Sequence, residues 1–236
     1  MAKIIHKADT RGQSKYDWLD SKHSFSFAGY SNPDRVHFGA LRVLNDDIIQ
    51  AGKGFGKHPH DNMEIITIPL YGALKHSDSM GHEQIISVNE VQVMSAGTGI
   101  FHSEYNASDS EDANFLQLWI FPNKKNVRPI YNQEYFDPTD AKNNWQKLVT
   151  SKENENTLKI QQDACISRAL LVKNLELKYS LSPSSYGCFL FVINGEIEID
   201  GETFSARDAI GLSDLSEFTI KAKQDSYVLN VEVPTI

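Results

Sequence analysis

Eight histidines occur in the 236-residue chain, and every one lies at or before His102. Chemistry that needs imidazole therefore belongs to the N-terminal half. Two of them fall in His58-Pro59-His60 and a third in His102-Ser103-Glu104. In a strand, residues i and i+2 project from one face, so His58 and His60 aim together, as do His102 and Glu104. With the two strands facing each other inside a barrel, three imidazoles and a carboxylate converge. That donor set suits a divalent transition metal such as iron, nickel, copper or manganese. The carboxylate itself is open at this point, because Glu64 has the same strand parity as His58 and His60.

The elements that must position these residues read as strands. Short β-branched and aromatic runs, separated by Gly, Asn, Asp and Pro clusters, recur at about ten-residue intervals. Examples are Gly39–Asn45, Asn62–Tyr71, Val91–Ser95, Gly99–Tyr105 and Asn114–Phe121. The longest apolar run, Cys188 to Ile193, reads as a buried strand, and almost nothing carries a helical period. The stretch Glu134 to Glu155 is polar and lacks alternation, so it reads as a connector with one short helix. An all-β chain of two domains is expected, residues 1–140 with the metal site and 141–236 without histidine. Gly72 and Gly195, each at a turn between apolar strands, give a weak internal echo between the halves.

Composition narrows the function classes. Apolar residues make up 40% and charged residues 23%, which excludes disorder and fibrous repeats. Twenty-three basic against 31 acidic residues give a net charge of −8, so direct nucleic-acid binding lacks its electrostatic footprint. Two cysteines, Cys165 and Cys188, are too few for a disulfide framework and read as small buried hydrophobes. No apolar run approaches the length of a membrane span. A cytoplasmic, membrane-free monomer is the expectation.

The spacings Gly52-x5-His58-x-His60-x3-Glu64 and Gly99-x2-His102-x3-Asn106 are the two half-motifs of the cupin barrel. They depart from the general pattern in two places. The closing glycine of the first, Gly72, comes one residue late. The second has Ser95-Ala96-Gly97-Thr98-Gly99 where a proline is usual. Gly54-Phe55-Gly56-Lys57-His58-Pro59-His60-Asp61-Asn62-Met63-Glu64, Leu74-Lys75-His76-Ser77-Asp78 and Met94-Ser95-Ala96-Gly97-Thr98-Gly99-Ile100-Phe101-His102-Ser103-Glu104 strongly resemble the pirin family of bicupins. Phe115-Leu116-Gln117-Leu118-Trp119 and His23-Ser24-Phe25-Ser26-Phe27 extend the likeness.

That resemblance implies two stacked cupin (jelly-roll) β-barrels and one divalent metal per chain. Iron(II) is the first choice, with nickel, copper, manganese, cobalt and zinc also admissible. The implied ligands are His58, His60, His102 and Glu104, and Glu64 becomes a pocket residue supporting the ligands. Pirin-like proteins are associated with quercetin 2,3-dioxygenase activity. The implied partners are thus a small aromatic substrate and dioxygen, with Glu104 also accepting the flavonol proton. The second reading is a redox-responsive regulator acting through a protein partner, and the third a bicupin that binds or isomerises a small carbonyl metabolite. His76 and His82 read as exposed loop histidines, and His6, His23 and His37 as ordinary hydrogen-bonded side chains. Phe25, Phe27, Phe38, Phe55, Phe101 and Trp119 read first as core, and second as an aromatic pocket.

Overall fold

The computed structural model describes residues 1–152, 155–181 and 186–235. Two 3-10 helices, Ala8–Thr10 and Pro138–Ala141, are the only helical elements among them, and the rest of the regular structure is strand. No helix among these residues is long and apolar enough to cross a membrane.

The chain forms two seven-stranded and two four-stranded sheets, one of each size built around each half. In the first half the large sheet runs Ile130–Tyr135, Glu90–Ser95, Glu64–Tyr71, Ala113–Ile120, Leu41–Ile49, Leu19–His23, Gly12–Tyr16. The small sheet runs Gly54–His60, Ile100–Asn106, Ala73–Asp78, Glu83–Ser87. The second half repeats this order, with Glu176–Ser180, Glu217–Ala222, Glu196–Ile199, Glu202–Ser205 as its small sheet. Each small sheet closes over one face of its large sheet. The other faces of the two large sheets pack on each other.

This arrangement buries the central strands on both sides, so they read as near-continuous apolar runs. Along Tyr186–Asn194, Phe189, Phe191 and Ile193 enter the core shared by the two halves, while Cys188, Leu190 and Val192 enter the second barrel. Along Ala113–Ile120, Leu116, Leu118 and Ile120 face the shared core and leave Phe115, Gln117 and Trp119 for the first barrel. Phe25 and Phe38 are shared-core residues as well.

The structure departs from the sequence reading in places. Ala2–His6 pairs with Ala209–Ser213 of the second half, so the chain crosses the expected division at residue 140 from its first strand. The connector holds its short helix at Pro138–Ala141 but also the strand Gln146–Thr150, and its residues 153 and 154 lie outside those described. Short polar strands carry too little alternation to be read from sequence.

Two predictions follow from the shared core. Phe189 is fully buried, its ring 5.1 Å from Phe25 and 5.7 Å from Phe38. Phe189→Ala should cost about 3–5 kcal/mol in denaturant unfolding, whereas a loss under 1 kcal/mol, as at an exposed site, would contradict this packing. His6 meets the same ring edge-on at 5.2 Å. Burial, then the Arg35 charge, push its imidazole down to about 4. Between pH 6.5 and 4 the unfolded chain thus binds the extra proton, and stability falls as the pH drops through that window. His6→Phe should remove up to about 1.4 kcal/mol per pH unit of that slope, and a slope equal to wild type would refute the assignment.

Candidate metal centre

The strands Gly54–His60 and Ile100–Asn106 pair with His58 opposite His102 and His60 opposite Ile100. Alternation along the second buries Ile100, His102, Glu104 and Asn106 and leaves Phe101 and Tyr105 exposed. The imidazole centroids of His58 and His102 are 4.4 Å apart, and His60 is 4.8 Å from each. One nitrogen from each of His58, His60 and His102 falls within a 4.8 Å group, and His76, His102 and Glu104 form a second such group sharing His102.

The protonation chemistry suits a metal. His58 Nδ1 lies 2.8 Å from the Gly56 carbonyl and can only donate to it, which leaves Nε2 as the free donor atom. Burial, then the neighbouring imidazoles, push His60 and His102 down to about 3, so both rings are neutral, as ligands must be. His102 is 1% exposed, and neither of its nitrogens has a hydrogen-bond partner among the described residues. Buried polar atoms left so are costly. A divalent cation among the three imidazoles would take up one of the two nitrogens, and the donor set fits such an ion.

Glu104 is fixed from the opposite sheet. Gln117 Nε2 donates to its Oε2 at 2.8 Å, and Thr67 Oγ1 to its Oε1 at 3.4 Å. Trp119 Nε1 donates to Gln117 Oε1 at 3.2 Å. An indole N–H can only donate, so it sets which end of the Gln117 amide faces the carboxylate. Burial raises the Glu104 carboxyl above its ordinary range, opposed by His76 and by the Gln117 hydrogen bond.

Two expectations need correction. Glu64 does not support the ligands. Its carboxylate accepts from Ser95 Oγ at 2.5 Å on the face turned to the second half, and it lines no part of the cavity beside the imidazoles. The parity argument fails because the strand ends at His60. A turn with Asn62 at φ 43° then carries the chain into the other sheet. His76 is not an exposed loop residue. It is fully buried on Ala73–Asp78, with Nδ1 3.2 Å from Gln92 Nε2 and Nε2 3.3 Å from Asp78 Oδ2. Both its nitrogens are engaged, so it backs His102 and Glu104. His82, 37% exposed at its side chain, holds the same Asp78 carboxylate at 2.9 Å.

A cavity of about 470 Å³ opens onto this cluster. His58, His60, Glu104 and Gln117 line it, with Trp18, Phe55, Phe27 and Trp119 as aromatic walls. Phe101 lies outside, 48% exposed under the Lys57 ammonium. The sequence reading passed over Thr67, Gln92 and Gln117. Their signal was available in Ile-Thr-Ile, Val-Gln-Val and Leu-Gln-Leu, each a polar residue alone in an apolar strand.

Residues 5–120 match the family model Pirin, and residues 148–233 match the quercetinase C-terminal cupin domain. A quercetin 2,3-dioxygenase from Escherichia coli strain K12 is 39% identical over 232 residues, covering 98% of this chain and 99% of that one. The chain belongs to the pirin family. A pirin-like protein from Caulobacter vibrioides is 36% identical, covering 95% of this chain and 96% of that one. A crystal structure of the bacterial pirin YhhW from Escherichia coli in complex with nickel(II) superposes with a TM-score of 0.94 at 38% identity over the whole of both chains. Pirin membership and the paired sheets make this fold a bicupin.

The geometry separates Glu64 from the imidazole cluster by experiment. After loading with nickel(II) and desalting, wild type and Glu64→Gln should retain the metal and His102→Ala should lose it, read by elemental mass spectrometry. Metal retained by His102→Ala, or lost from Glu64→Gln while its fold stays intact, would overturn the placement.

Proposed function

We propose that this pirin is a dioxygenase that opens flavonols such as quercetin at one divalent metal held by His58, His60, His102 and Glu104, with iron(II) the first choice. One observation carries the reading: a buried imidazole with both nitrogens unpartnered, inside a three-histidine cluster facing an aromatic cavity. The relative named quercetin 2,3-dioxygenase and the nickel(II) complex of YhhW support it.

When bound, the metal supplies Lewis acidity toward an enolic oxygen and electron exchange with dioxygen. The chain supplies the rest. His60 and His102 enter neutral and need shed no proton to serve as ligands, and His58 presents Nε2. The cavity's aromatic walls take the flat ligand and displace water around it, which positions the reacting oxygen before chemistry begins. Glu104, the carboxylate in the cavity wall beside the imidazoles, accepts the proton of the flavonol 3-hydroxyl. The O–H electron pair stays on the substrate oxygen, and burial has already raised Glu104 toward the basicity this needs. Gln117, held by Trp119, keeps the carboxylate from rotating as it takes up the proton.

Metal-loaded protein should bleach quercetin in air and release carbon monoxide. Single His58→Ala and His102→Ala variants should lose that turnover, and Gln117→Leu should reduce it about 10- to 100-fold. Flavonol turnover that survives removal of both His58 and His102 would sink the proposal.

A further inference from the structure

The cavity has polar lining that the metal cluster does not use. Asp47 lines it and is 2% exposed, and Ser21 Oγ donates to its Oδ1. The preceding residue makes the contrast. Asp46 points to the other face of the strand, where Arg11 at 3.1 Å, Arg207 at 3.6 Å and Asn114 at 2.8 Å satisfy it. Asp47 forms no ion pair among the described residues. Burial, opposed by the Ser21 hydrogen bond and reinforced by Asp46 and Glu104, holds its carboxyl up to about 7. A buried carboxylate without a cation is not a packing solution, since an apolar side chain would fill the same space at lower cost.

Beside it, His23 Nδ1 lies 2.9 Å from Asn45 Oδ1, and its Nε2 lies 2.9 Å from Ser14 Oγ. Asn45 and Ser14 also line the cavity. An aromatic wall runs from the imidazoles to His23. The Trp119 ring is 4.8 Å from His60 and 5.3 Å from Phe27, and Phe27 is 5.2 Å from His23. A flat ligand in this cavity has the imidazoles, these rings and Asp47 all in its lining.

We propose that Asp47, held by Ser21, accepts a hydrogen bond from a phenolic hydroxyl of the substrate other than the 3-hydroxyl, and so selects polyhydroxylated aromatic substrates. This rests on the flavonol reading above and names the residue that discriminates within that class. No bond is made or broken at Asp47, so it is a specificity-determining residue and not a catalytic one.

The test is anaerobic binding to metal-loaded protein, where turnover cannot interfere, followed by tryptophan fluorescence. The two probes are quercetin, hydroxylated on both outer rings, and 3-hydroxyflavone, which carries only the 3-hydroxyl. Asp47→Asn should weaken quercetin at least about tenfold, the scale of a hydrogen bond to a charged acceptor, and leave 3-hydroxyflavone within about twofold. Ser21→Ala should move the same ratio in the same direction by less, and it carries the test alone if Asp47→Asn does not fold. The ratio of the two dissociation constants within one sample cancels any unfolded fraction. Equal weakening of both probes, or of neither, overturns the assignment while leaving the flavonol reading intact. Wild type binding neither probe overturns the flavonol reading, and this inference with it.

Discussion

A sheet covered on both faces takes its polar side chains away from bulk water, so each one left without a partner is costly. The large sheet of the first half is such a sheet, and one cross-strand row on it is polar from side to side. Gln92 lies opposite Thr67, Thr67 opposite Gln117, Gln117 opposite Asn45, and Asn45 opposite His23. Opposed residues share a face, so all five project into the barrel. Three of them find partners in the site, Gln92 with His76 and Thr67 and Gln117 with Glu104, while Asn45 meets its row neighbour His23. The row and the small sheet above it satisfy each other, and neither can be made apolar alone without stranding the other.

The second half carries the same sheet order with the opposite filling. Where the first barrel has His58 and His60 on one strand and His102 and Glu104 on its neighbour, the equivalent strands carry Leu177 and Tyr179, and Phe218 and Ile220. All four belong to the second barrel's apolar cluster, the two aromatic rings stacked at 5.5 Å. Apolar side chains interlock without any need for a ligand. The first barrel instead has small apolar clusters at its ends, Leu19, Ile49, Leu74, Ile86 and Phe115 in one and Ile65, Met94, Ala96 and Ile100 in the other. Its polar middle gives up that packing for chemistry, and the core it shares with the second half holds it in shape.

How much of this was legible follows from what each signal depends on. His58, His60 and His102 could be placed because i, i+2 alternation holds within a strand and each pair lies within one. Glu64 failed because the same alternation does not survive a turn, and nothing in Asp61-Asn62-Met63 announces a change of sheet beyond an asparagine that tolerates positive φ. His76 was misread because Ser77 to Gly81 looks like an exposed turn. The turn is real, but its Asp78 carboxylate is drawn inward by His76, His82 and the Met80 and His82 amides. The all-β class was legible from strand spacing and the bicupin was implied by the family resemblance, whereas the reach of Ala2–His6 into the second half's sheet is a tertiary choice that no local pattern encodes.

The polar row also explains why the two adjacent carboxylates Asp46 and Asp47 have different fates. A strand turns successive side chains to opposite faces, so one stretch of sequence serves two environments at once. On the outer face the second half brings Arg207 to Asp46, and the N-terminal segment brings Arg11. There the charge is neutralised and helps fix the halves together. The inner face offers Asp47 only a serine hydroxyl and the cavity. The same fold that completes the interface therefore leaves one carboxylate wanting a donor. That donor has to come from whatever fills the cavity.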